Sequence, residues 1–334
     1  MPINVVENPQ VEFGRIGDPS RPAGISAFLR VKNGADFVEA AIRSHIRQFD
    51  EIVAVFNDCT DATPDILRRL AVEFGERLRV FHYVPRVFPP GSSDHATEPG
   101  DSPNSLVHYY NFSLAQTRFS TVTKLDDDHV ALDVRLNQIC QQIRARGCNL
   151  SEMWCFSGLN LARRTDGSLG IPMACPISGS GDIGFFTPTH STRFRHDARF
   201  ERFHRGSIPR RFVGFLYWHM KYLKSDEGFV NYDLLGNPES RYHKKRLKFD
   251  ASEILPLPAF RSRSRSQRGI LNGIASRLNA KFRLKAERNL AVATSFPQAS
   301  LEDAIIEESP EFAELILNHH LGHQANLRAA PYDG

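Results

Sequence analysis

An open α/β sheet with a helical extension is the fold that this sequence predicts, and three observations predict it. Short apolar runs suited to buried strands alternate with segments whose apolar residues recur at helical spacing. Several of the strand-like runs end in polar, acid-bearing turns. From about Ala251 the pattern becomes mainly helical.

Each element has a local reason. Ile25-Ser-Ala-Phe-Leu-Arg-Val31 reads as a buried strand, and Phe37, Val38, Ala41, Ile42, His45, Ile46 and Phe49 then share one helical face. Glu51–Phe56 is a second buried strand. Thr63-Pro64 reads as a helix N-cap followed by proline at the first helical position, with Ile66, Leu67, Leu70 and Phe74 buried and Gly75 as the stop. Leu78–Val84 is a third strand. Residues 85–104 lose periodicity and fill with Pro, Gly, Ser and Asp, so they predict a long loop, a flap near the site. A helix at 105–117, the strand Val122–Leu125 and a helix at 133–146, closed by Gly147, follow. Beyond Cys155 the reading thins to short strands, Gly-rich turns and the apolar run Phe212–His219. Pro256, Pro258 and the Arg-Ser repeats of 261–268 read as a linker to helices reaching about His320. The expected division is an N-terminal segment 1–23, a sheet domain 24–250 and an extension 251–334.

Composition narrows the class. A chain of 334 residues, 41% hydrophobic and 24% charged, is that of a globular protein, and no apolar run reaches the roughly 18 residues of a membrane span. The N-terminus shows no secretory pattern. The five cysteines are odd in number and lack a C-x-x-C pair, which predicts free thiols in a reducing cytoplasm. The net charge of +4 is concentrated between Arg261 and Arg288. That stretch predicts peripheral contact with an anionic membrane surface. Basic clustering without a recognised module gives no reason to expect nucleic acid.

The chemistry gathers at strand ends. Val122-Thr-Lys-Leu-Asp-Asp-Asp-His129 delivers three carboxylates where a strand stops, and Asp126 and Asp128, two apart, share a face in an extended segment. Hard oxygen ligands suit Mg²⁺ or Mn²⁺, and a divalent ion so placed can hold a diphosphate. Asp126, Asp128 and His219, after the last apolar run, form the expected ligand set, an imidazole being able to join carboxylates around Mn²⁺. The second strand ends in Phe56-Asn-Asp-Cys-Thr-Asp-Ala-Thr-Pro64, and ligands of open α/β sheets bind at the carboxyl ends of strands. Asn57 and Asp58 are therefore candidates for contacting a nucleotide. Arg30 and Asn33 at the first strand's end, Lys124 and Asp127 around the acid pair, and Lys221 complete the expected donor site, with Lys221 facing a leaving diphosphate.

The succession strand, Lys-Asn, helix, strand, Asn-Asp-Cys-Thr-Asp-Ala-Thr-Pro, helix, strand, Lys-Leu-Asp-Asp-Asp-His resembles the family 2 glycosyltransferases of the GT-A fold, from roughly Gly24 to Lys224. The resemblance implies a Rossmann-like nucleotide-sugar-binding domain and an inverting, metal-dependent, hexosyltransferase-like enzyme. Asp126 would lie near the ribose and metal, and Asp128 would ligate the metal. It further implies a saccharide or lipid-linked acceptor in bacterial surface-polysaccharide (capsule or lipopolysaccharide) assembly, at the inner face of the membrane. Two features depart from the pattern. Phe56 stands where an acid is usual, leaving base recognition to Asn57, Asp58 or the Phe56 ring, and Asn33-Gly34 replaces Asn-Glu. Inversion needs a carboxylate to deprotonate the acceptor hydroxyl. Ser178–Phe186 resembles the turn preceding that base, which makes Glu201 the first candidate and Asp182 and Asp197 the alternatives. A nucleotidyltransferase of related fold lacks its Gly-rich phosphate loop here. A non-catalytic carbohydrate-binding or scaffold protein fits the missing Glu-Asp pair.

Overall fold

The computed structural model describes residues 3–179, 183–196, 201–225, 227–266 and 280–319. Its strands are β1 (Asn4–Val6), β2 (Ile25–Val31), β3 (Glu51–Phe56), β4 (Leu78–Tyr83), β5 (Thr121–Leu125), β6 (His129–Ala131), β7 (Met153–Asn160), β8 (Ala162–Arg163), β9 (Leu169–Pro172), β10 (Ile177–Ser178), β11 (Gly184–Phe186), β12 (Arg193–Arg195), β13 (Arg202–His204), β14 (Arg210–His219) and β15 (Ile254–Leu255). The helices are α1 (Phe13–Ile16), α2 (Val38–Ile46), α3 (Thr63–Phe74), α4 (Ser93–Thr97), α5 (Leu106–Ala115), α6 (Asp133–Ala145), α7 (Arg241–Asp250), α8 (Leu257–Ser266), α9 (Ala280–Ser295), α10 (Leu301–Glu308) and α11 (Ala313–Asn318).

The architecture is the predicted Rossmann-like α/β one, with helices gathered at the C-terminal end. The main sheet runs β1-β4-β3-β2-β5-β11-β7-β14-β6, with β10 also on β7. The first five strands of that order are parallel, β11 runs against both its neighbours, β7 and β14 are parallel, and β6 is antiparallel to β14. The carboxyl ends of β2, β3, β5 and β14 therefore lie along one edge.

Alternation in the buried strands explains the layers. Ala27, Leu29, Val31, Ile52, Ala54 and Phe56 pack with the apolar stripes of α2, α3 and α6. Phe28, Val53 and Val55 point to the other face and meet α5. A third cluster joins Phe215, Trp218 and Leu169 to Val292, Phe296, Ile305 and Ile316, so α9, α10 and α11 pack against the far end of the sheet. Ser309 ties the two together, accepting from Trp218 Nε1 at 3.1 Å and donating to Ala131 O at 2.6 Å.

Three local expectations change. Thr63 is the first residue of α3 rather than its cap. Its N–H donates to Asp61 Oδ1 and its hydroxyl accepts from Gly34 N at 2.8 Å, so the β2 turn takes the oxygen that would have capped the helix. The 85–104 segment contains α4 and is tethered, through Phe88 N to Asn104 O at 3.0 Å, Tyr83 Oη to Pro103 O at 2.7 Å and Asp233 N to Pro90 O at 3.1 Å. The start of the Arg-Ser repeat lies on α8, not in a linker. Arg261 donates to Phe296 O and Gln298 O beyond the end of α9, and Arg263 pairs with Glu253 at 2.7 Å. Residues 267–279 of the basic stretch lie outside the described residues. The five cysteines are all free, and no helix among the described residues is long and apolar enough to cross a membrane.

Candidate metal centre

β5 ends at Leu125, the three aspartates form a turn, and His129 opens β6. Pairing of β6 with β14 sets His129 opposite His219, and pairing of β14 with β7 sets His219 opposite Asn160. One ligand atom each from Asp128, His129 and His219 lies within 4.8 Å of the others, and all three residues are buried. Asp126 stands beside them, Oδ2 lying 3.5 Å from His129 Nε2.

The polar atoms of this group fit a cation. Asp128 Oδ1 and His129 Nε2 are buried without a hydrogen-bond partner, which a folded chain rarely tolerates unless something else satisfies them. Asn160 orients His219. The amide Nδ2 is held by Cys175 O, so Oδ1 is left to accept from His219 Nδ1–H, and Nε2 is turned towards Asp128 Oδ1 at 3.1 Å. The His129 ring stacks on Tyr217 with centroids 3.7 Å apart. Burial pushes the His129 imidazole down to about 3, which keeps it neutral, and its Nδ1 faces Asp126 N–H at 3.5 Å. A carboxylate with two imidazoles admits a transition-metal ion such as Mn²⁺ more readily than Mg²⁺, which keeps to oxygen ligands.

Charge is distributed unevenly over the three acids. Burial opposes ionisation of Asp128, but Lys224 and His219 outweigh it and hold the carboxyl well below the usual range. Burial raises Asp127, with Lys224 in partial opposition. Asp126 is also held low, because Lys124, with Nζ 2.9 Å from Oδ1, and His129 overcome its burial.

A cationic and aromatic wall stands next to the acids. The Arg30 guanidinium lies 3.4 Å over the Tyr110 ring and within 5.4 Å of the Tyr109 ring, both on α5. Burial works against the Arg30 charge, and Tyr110, Glu201, Tyr109 and Asp126 more than restore it. Glu201 is half-buried, and its Oε2 has no hydrogen-bond partner among the described residues. Its charge bears on Arg30, Tyr110, Tyr232 and Tyr242. Asp182 and Asp197 lie outside the described residues.

Other expected contacts face elsewhere. Asn57 is turned inward: its Nδ2 donates to Tyr83 O and Pro85 O, both at 2.7 Å, and Oδ1 accepts from Val87 N at 3.2 Å. Both amide hydrogens and one Oδ1 lone pair of Asn57 thus serve the loop after β4. Asp58 pairs with Lys32 at 2.7 Å on the surface, and Asn33 Oδ1 accepts from Thr60 N at 2.8 Å. The Phe56 ring is buried and stacked on His82, centroids 4.7 Å apart. Lys221 Nζ donates to Gly228 O at 2.6 Å and sits over the rings of Phe229 and Tyr232. The lysine at Asp127 and Asp128 is Lys224. His129, Asn160, Lys224 and Tyr110 were not singled out by sequence. The only signal for His129 was its place at the end of the acid run, whereas Asn160 and Lys224 meet the site through strand pairing and a turn that spacing does not encode.

Residues 13–140 match the profile of a glycosyltransferase family described as Beta-1,4-N-acetylgalactosaminyltransferase (CgtA). No curated protein matches the chain. Among solved structures, the chain is similar to glucosyl-3-phosphoglycerate synthase from Mycobacterium tuberculosis in complex with Mn²⁺, UDP and glucosyl-3-phosphoglycerate, at 16% identity over 65% of this chain and 80% of that one, with a TM-score of 0.32. A mannosyltransferase from Pyrobaculum calidifontis with GDP-Man and Mn²⁺ matches at 20% identity over 49% and 39%, with a TM-score of 0.27.

Proposed function

We propose that this chain is a metal-dependent glycosyltransferase that moves a sugar from a nucleotide-diphospho-sugar to an acceptor hydroxyl with inversion at the anomeric carbon. The observation that carries the reading is the convergence of Asp128, His129 and His219 at the carboxyl edge of the sheet, with buried ligand atoms left unpaired. The glycosyltransferase profile across residues 13–140, which ends after the acid turn, supports it independently.

Asp128, His219 and His129 would hold the metal, with Asp126 adjacent. A divalent ion there supplies charge neutralisation for the diphosphate as it leaves. Lys124, beside Asp126, and Arg30, braced on Tyr110, add fixed positive charge to the same wall. Glu201 accepts the acceptor's hydroxyl proton as oxygen attacks the anomeric carbon. Its Oε2, unpaired among the described residues, supports it as the base. Residues 24–250 carry the transfer machinery, and the helices after 250 brace the sheet from behind. The acceptor is a saccharide, free or lipid-linked, of a bacterial surface polysaccharide.

A thermal-shift screen of UDP-, GDP-, CMP- and dTDP-sugars with and without Mn²⁺ tests the reading, with UDP-N-acetylgalactosamine as the leading donor because of the matched profile. Stabilisation by one nucleotide sugar only when Mn²⁺ is present is expected, and indifference to every donor would overturn it. Glu201→Gln should lower transfer by roughly 10²–10⁴-fold while leaving donor affinity intact. Full activity in that variant would move the base elsewhere.

A further inference from the structure

The acid turn already holds a cation that belongs to the chain. After His219, the short 3₁₀ turn Lys221–Leu223 folds the backbone back, and Lys224 reaches the carboxylates. Its Nζ lies 3.1 Å from Asp127 Oδ2 and 3.1 Å from Asp128 Oδ2, and the three side chains are only 9%, 13% and 8% exposed. Asp128 thus gives Oδ2 to the ammonium, while Oδ1 faces the bare Nε2 of His219. Asp127 stands against Gly34, where a Cβ would come within 2.3 Å of its Oδ2. A glycine at 34 is what lets the Asp127 carboxylate occupy that space beside Lys224.

We propose that Lys224 is a positioning residue that acts as an internal counter-cation, competing with the divalent metal for Asp128 and retiring to Asp127 when the metal binds. The inference rests on the reading of Asp128 as a metal ligand. Its physical basis is that two cations sharing one buried carboxylate repel strongly where solvent screening is weak. A buried ammonium left with no carboxylate is costly, so a second acid must receive it. Asp127 is that acid. In the metal-free protein Lys224 keeps the turn from flying apart by self-repulsion, and in the loaded protein it stays one residue away from the ion.

Mn²⁺ titration of the full chain, by calorimetry and by electron paramagnetic resonance of the free ion, tests this without any assay of transfer. Lys224→Met should tighten Mn²⁺ binding by about tenfold or more, since the competing charge is gone. Asp127→Asn should weaken it by a similar factor, because Lys224 is then confined to Asp128. Lys224→Arg should stay near wild type. Melting in EDTA should fall for Lys224→Met, and added Mn²⁺ should recover it. Unchanged or weaker Mn²⁺ binding in Lys224→Met, or equal or tighter binding in Asp127→Asn, overturns the competition; should Lys224→Met not fold, the Asp127→Asn sign decides alone. Mn²⁺ binding that survives Asp128→Ala overturns the metal reading itself, whereas binding lost there but indifferent to Lys224 overturns only this inference.

Discussion

The turn after β3 and the turn after β5 are both acid-bearing strand ends on the same edge of the sheet, and they differ in what their polar atoms touch. In the first, the Asn57 amide holds the loop after β4, Asp61 receives Thr63 N and Ala35 N, Thr63 receives Gly34 N, and Asp58 meets Lys32. In the second, Asp126 meets Lys124, and Asp127 and Asp128 Oδ2 meet Lys224, while Asp128 Oδ1 and His129 Nε2 are buried with no hydrogen bond. The first turn is architecture, because its polar side chains satisfy the backbone of neighbouring turns. The second leaves two buried polar atoms that a bound cation would satisfy.

The contrast breaks most visibly at Asp128. Asp128→Ala should remove Mn²⁺ binding and cut transfer by on the order of 10³-fold, measured by titration and initial rates; a variant that still binds Mn²⁺ normally would make the two turns equivalent. Asn160→Ala comes next. Freed from its amide partner, His219 loses its orientation, and Mn²⁺ affinity should fall by roughly 10–100-fold with the fold intact. On the other side, Asn57→Ala should lower stability in urea by roughly 2–3 kcal/mol, since it strands buried backbone groups, and leave Mn²⁺ affinity alone. Lost donor binding with no loss of stability would return Asn57 to the site. Asp58→Ala should be the mildest change, under about 1 kcal/mol, because its ion pair is solvated; a larger effect on donor affinity than on stability would give that turn a functional role.

Legibility follows the same line. The parallel half of the sheet was readable because each strand and helix carries its own period, and because Ala27, Leu29 and Val31 face one layer while Phe28 faces the other. The acid turn was readable because its three carboxylates are contiguous. The loop contacts of Asn57 were not readable, because a polar residue at a strand end looks the same whether it faces a ligand or a neighbouring loop.

By itself, the sequence determined the α/β alternation, the strand ends that form the edge, and the acids Asp126 to Asp128 upon it, all through local periodicity and composition. Tertiary structure alone decided which atoms meet there. His129, Asn160 and His219 come into one row through the pairing of β6, β14 and β7, and that register shifts between Phe212 and Gly214 and again between Phe215 and Tyr217. Each such irregularity alters which residues stand opposite one another, and the only local trace is Gly214 with φ at 125°. Lys224 reaches the carboxylates through a turn of its own. Register and turns between distant segments are set by the packing of the whole sheet, which no spacing within a single segment records.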